Sequence, residues 1–155
     1  MLALSTLARR HGLTVAAVVM QAGRDEKEAA RCARLSGGIV LPFLTPEELV
    51  FVLSRGALVY ASRLHALILA AVAGVPAVCR ADGGKITDFS AYAAECGGGR
   101  LLTCLGENAT SADVFRAAEA VLCSPPTGEE ANAYLARLRK AGEGFSFANF
   151  FAGLA

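Results

Sequence analysis

The chain has 155 residues, 54% of them hydrophobic and 19% charged, with a formal net charge of +1. That length suits one domain with a core large enough to need neither disulfides nor metal. The near-neutral balance carries no footprint of a nucleic-acid binder, and the longest apolar run, Ala66–Cys79, is too short to span a membrane and is broken by Gly74 and Pro76.

Residues 1–14 read as a leading helix with Leu2, Leu4, Leu7 and Ala8 on one face. Val15–Met20 is a continuous apolar, β-branched run, the pattern of a strand covered on both faces. Asp25 starts a helix as its cap, with Glu28 as capping-box partner; the helix reaches about Leu35 and ends at Gly37-Gly38. Ile39–Phe43 is the second strand. Thr45-Pro46-Glu47-Glu48 is a helix start with cap, first-turn proline and acids, and that helix ends near Gly56. Ala57–Ala61 is the third strand. Ser62 caps a helix that runs to about Ala73 and is ended by Gly74. Pro76–Arg80 is the fourth strand, Ala81–Lys85 a glycine-bearing loop, and Thr87–Glu95 a helix. Arg100–Leu105 is the fifth strand, and Ser111 caps a helix to Leu122. After the break at Ser124-Pro125-Pro126-Thr127-Gly128 comes a last helix, Glu129–Ala141, and an apolar tail.

Five alternations of strand and helix with short crossovers specify an α/β fold. We expect a Rossmann-like three-layer domain over residues 1–144, with a mainly parallel sheet of about five strands, followed by a docking tail or helix over 145–155. Ligands of such sheets sit beyond the carboxyl ends of the strands, which directs attention to the loop after each strand.

Among these loops Ser62-Arg63-Leu64-His65 stands out. A helix start favours an anion, and a cation in the first turn opposes the dipole, so Arg63 there points to an anionic ligand. Its planar fork suits carboxylate or phosphate, and His65 exchanges a proton near neutral pH. Arg63 could equally pair with a neighbouring carboxylate, and His65 could be a satisfied side chain. The next loop adds Gly84 and Lys85, a backbone free to turn its N–H groups inward and a point charge. Convergence of Arg63, His65 and Lys85 on one sheet edge carries more weight than any one of them. Asp25, Thr45, Glu48 and Ser111 have sufficient reason as caps. No dinucleotide fingerprint follows the first strand, and no P-loop or nucleophile elbow appears. The five cysteines form no C-x-x-C pair and read as reduced thiols of a cytoplasmic protein, so no cofactor and no metal site are expected.

The stretch Ala61-Ser62-Arg63-Leu64-His65-Ala66-Leu67-Ile68-Leu69-Ala70-Ala71, continuing through Gly74-Val75-Pro76 to a lysine at Lys85, resembles the signature of the polysaccharide pyruvyl transferases. The resemblance implies the C-terminal, donor-binding half of a two-domain enzyme built like a GT-B glycosyltransferase. Such enzymes move pyruvyl from phosphoenolpyruvate to sugar hydroxyls of a cell-surface polysaccharide as a ketal. It implies anion clamping by Arg63, acid–base work by His65, and donor binding by Ser62, Gly84 and Lys85. The acceptor-binding N-terminal domain would then be missing or separate. Alternatives are a domain of a nucleotide-sugar glycosyltransferase or epimerase, and a non-catalytic Rossmann binding module. Phe147, Phe150, Phe151 and Leu154 recur at helical spacing and fit burial on the domain itself, docking on the missing domain, or a homodimer.

Overall fold

The computed structural model describes residues 2–81 and 84–142. In chain order the elements are α1 (Leu2–Arg10), β1 (Ala16–Val18), α2 (Glu26–Ser36), β2 (Ile39–Leu41), α3 (Pro46–Leu53), β3 (Val59–Ala61), α4 (Leu64–Val72), β4 (Ala77–Arg80), α5 (Gly84–Glu95), β5 (Leu102–Leu105), α6 (Ser111–Cys123) and α7 (Gly128–Gly142). The proposed docking residues Phe147, Phe150, Phe151 and Leu154 lie outside the described residues, as do Asp82 and Gly83.

All strand pairings are parallel, as expected of an α/β chain, but they fall into two ladders rather than one sheet of five: β1 with β2, and β3-β4-β5 with β4 in the middle. Strands of three and four residues offer few ladder bonds, so helix packing does much of the joining. β4 is covered from both sides. Its residues alternate, as a pleated strand must. Ala77 and Cys79 pack with Leu67, Ile68 and Phe89 of α4 and α5, while β4 also meets α6, which packs on α1. Fully burying a side chain such as Ile68 is worth about 1.5–3 kcal/mol. α7 closes the α4–α5 layer, with Tyr134 and Leu138 against Ala71, Ala93, Cys96 and Leu101. Two long-range bonds fix it there: Tyr92 Oη donates to Leu138 O at 3.0 Å and Arg137 Nε to Cys96 O at 2.6 Å.

The β1–β2 ladder is thinner. β1, the run expected to be covered on both faces, has Ala16 exposed and Ala17 and Val18 only half-buried, while on β2 Ile39 and Val40 are exposed, and Phe43 beyond it is 57% exposed. Phe51 on α3 is 63% exposed, with Arg55 over its ring.

Helix starts follow local chemistry, with corrections. Thr45 and Glu48 form the expected capping box under Pro46. On α6 the box belongs to Thr110 and Asp113, one residue earlier than the expected cap, Ser111. Asp25 occupies the N-cap position of α2 but its side chain does not cap, and Glu28 reaches Arg31 instead of closing a box. α5 begins at Gly84 rather than near Thr87, because Ile86, Phe89 and Ala93 are all buried and continue one helical face back to that start. Gly84 and Lys85 thus stand in a helical first turn, not in a loop.

Candidate functional site

β3 and β4 are neighbours, so α4 and α5 both start at the same carboxyl edge of the sheet. This brings Ser62, Arg63 and His65 to the beginning of α4, and Gly84 and Lys85 to the beginning of α5. Ser62, His65 and Lys85 are exposed there, while Arg63 is half-buried.

Ser62 does not cap α4. The N-cap position is Arg63, in extended backbone at φ −130° and ψ 137°, and no side chain bonds the first turn from that position. Ser62 lies one residue too early for the role. The Arg63 carbonyl accepts from Ala66 N at 3.1 Å, so the turn itself is well formed. The contrast with α3 and α6 is clear: each carries a threonine box, whereas α4 opens with an arginine and a histidine. A helix start whose N-cap side chain makes no capping bond carries partial positive charge and favours an anion.

Arg63 has a partner that local pattern does not announce. Its Nη2 donates to Asp25 Oδ1, from the loop after β1, 38 residues away. The other oxygen, Asp25 Oδ2, accepts from Gln21 N at 2.9 Å. The carboxylate is therefore held at both ends, with its side chain 16% exposed against 39% for Arg63. Sequence reasoning assigned Asp25 to capping because an acid before a helix is a cap pattern; the only signal for its other role was an unspecific one, that Arg63 could meet a carboxylate.

Two clefts lie elsewhere. One of about 520 Å³ follows α7, lined by Asn132, Leu135, Ala136, Arg139 and Lys140. A smaller one of about 80 Å³ lies between Tyr60 and Arg80 of the sheet and Thr110, Ser111 and Val114 of α6. Neither is lined by Arg63, His65 or Lys85. Among the described residues no three His, Cys, Asp or Glu side chains cluster as metal ligands, and no described helix is long and apolar enough to cross a membrane.

A family model for polysaccharide pyruvyl transferases matches residues 2–82, just over half of the chain. The chain belongs to the polysaccharide pyruvyl transferase family. The match takes in both parallel ladders up to β4 and the start of α4 with Ser62-Arg63-Leu64-His65, so this pyruvyl transferase domain carries its Arg63–His65 segment inside the family region. Gly84 and Lys85 fall just beyond it. No curated protein and no solved structure matches the chain.

Proposed function

We propose that the chain is the donor-binding domain of a polysaccharide pyruvyl transferase that takes phosphoenolpyruvate and transfers its pyruvyl group to a sugar as a ketal. The observation that carries this reading is the placement of Arg63 and His65 at the start of α4, where the N-cap side chain makes no capping bond, on a sheet edge within the family region. Phosphoenolpyruvate presents a carboxylate and a phosphate. Arg63 clamps one of them with its planar fork, Lys85 neutralises charge from the start of α5, and the backbone at Ser62 and Gly84 completes the cradle.

One sugar hydroxyl oxygen bonds to the enol carbon, the neighbouring methylene carbon gains a proton and becomes methyl, and the bond from the former enol carbon to the phosphate oxygen breaks. A second hydroxyl closes the ketal. Of the two hydroxyl protons, one matches the proton gained by the methyl and the other leaves with inorganic phosphate. His65 is the acid–base group, able to take the hydroxyl proton, protonate the methylene carbon or protonate the departing phosphate. A sheet edge of this kind is one wall of a cleft. The second wall, which holds the acceptor, comes from a separate N-terminal domain or from a second copy docked through Phe147, Phe150, Phe151 and Leu154. The work takes place in the cytoplasm on a precursor of a cell-surface polysaccharide.

Calorimetric titration of the chain with phosphoenolpyruvate tests the donor site. Binding is expected, with Arg63→Ala weakening it about tenfold or more, since a hydrogen bond to a charged group contributes about 1.5–3 kcal/mol. A uridine nucleotide sugar is not expected to compete. Equal binding by the Ala variant, or preference for the nucleotide sugar, sinks this reading and favours the glycosyltransferase alternative.

A further inference from the structure

We infer that Asp25 is a positioning residue for Arg63, fixing the guanidinium that the donor anion meets. The inference rests on the donor-site reading for its functional meaning, and on geometry for the pairing itself. Asp25 Oδ1 takes one Nη of Arg63, and its second oxygen is pinned by Gln21 N at 2.9 Å. A guanidinium has five N–H donors in a rigid plane. Fixing one of them on a carboxylate that cannot swing fixes the direction of the rest, and four remain for a two-pronged anion. Arg63 needs such an outside hold. It stands at the N-cap position, where its backbone is extended and its side chain does not cap the helix. A long side chain left free there loses rotamer freedom each time it binds, and a preset one does not.

The pairing also joins two parts of the molecule. Asp25 follows β1 in the first ladder, and Arg63 follows β3 in the second. A carboxylate that merely balanced charge could sit on the neighbouring turn of α4. This one reaches across from the loop beside Gln21, and Glu26 Oε1 further tightens that loop by accepting from Gly23 N at 2.6 Å. The loop is thus organised around two carboxylates, one turned to its own backbone and one shared between that backbone and Arg63.

The test is a double-mutant cycle on the full chain with two readouts. The first is the Nε–Hε nuclear resonance of Arg63, assigned by its loss in Arg63→Lys. Asp25→Asn is expected to move it toward the position and width of solvent-exposed arginines while leaving backbone amides of β4 and α7 in place. An unmoved resonance overturns the inference, whether or not phosphoenolpyruvate binds. A moved resonance in a chain that binds no phosphoenolpyruvate upholds the positioning of Arg63 and removes the donor reading instead. The second readout is calorimetric affinity for phosphoenolpyruvate. Asp25→Asn is expected to weaken it about tenfold, the low end of what outer-shell partners contribute, and to have no further effect once Arg63 is Ala. The same loss in both backgrounds, or tighter binding in Asp25→Asn, overturns the inference, because Asp25 then acts apart from Arg63 or competes for it. Should Asp25→Asn fail to fold, Asp25→Glu gives the same two readings with the charge retained, and an intermediate shift and affinity are expected.

Discussion

Tyr134 is 1% exposed, and among the described residues its hydroxyl has no hydrogen-bond partner. Burial pushes that hydroxyl's pKa above its ordinary value. The ring is held because Gly98 lets it approach: a Cβ at Gly98 would stand 2.4 Å from Tyr134 Cε2. An unsatisfied buried donor costs about 1–3 kcal/mol, so Tyr134→Phe is expected to leave the domain at least as stable, by urea denaturation, as the parent. A loss above about 1 kcal/mol would mean that the hydroxyl is satisfied after all. At this scale the sequence is legible where a residue answers to its neighbours and illegible where it answers across the fold. Thr45 and Glu48 are three apart and announce their box. Asp25 and Arg63 are 38 apart, and nothing near either one tells a cap from an ion pair. Ser62 shows the limit of the local rule: it has the right chemistry for a cap but sits one residue too early, and Arg63 occupies the position.

At the scale of the element, helix starts are where charge and backbone meet. The carboxyl of Asp113 accepts from the Thr110 hydroxyl at 2.7 Å and from Thr110 N at 2.8 Å, with Arg116 beside it. These bonds, led by the hydroxyl, hold its pKa down to about 2 from an ordinary 3.8. A carboxylate depressed in the folded state contributes stability that is complete above about pH 4 and fades as pH falls toward 2. Asp113→Asn is therefore expected to lower the melting temperature at pH 6 and to flatten its decline between about pH 4 and 2. Parallel declines in parent and variant would show that the box does not carry this dependence. α5 starts earlier than local pattern predicts for a reason of the same scale. Gly84 and Lys85 look like turn residues, but the buried spacing of Ile86, Phe89 and Ala93 extends the helix back over them. Strand and helix order, by contrast, was plain in the alternation of apolar runs with capped periodic segments.

Across the whole molecule the layering decides what solvent can reach. Cys79 on the central strand is fully buried beside Cys104, its ladder partner, and burial with that neighbouring thiol pushes its pKa up to about 12. Cys96 is buried under α7 and shifted in the same direction by desolvation. Cys123, at the end of α6, is exposed. With an aromatic disulfide reagent at pH 8, Cys123 is expected to react at once, and Cys79 and Cys96 only as fast as the domain unfolds. Prompt reaction of Cys79 in native buffer would contradict the closed β4 core. What the sequence did not disclose at this scale is the division into two ladders. Apolar runs reveal strands, but whether strands of three residues share one continuous ladder depends on register between distant segments, which leaves no local mark. That division leaves Ile39, Val40 and Phe43 along an outer rim where, among the described residues, β2 bonds only to β1. A rim with open peptide groups and oily side chains acts as a template for further strands. The thinnest ladder rather than the well-packed centre is therefore expected to set the domain's colloidal behaviour, with self-association rising as the solution is concentrated, which light scattering against concentration checks.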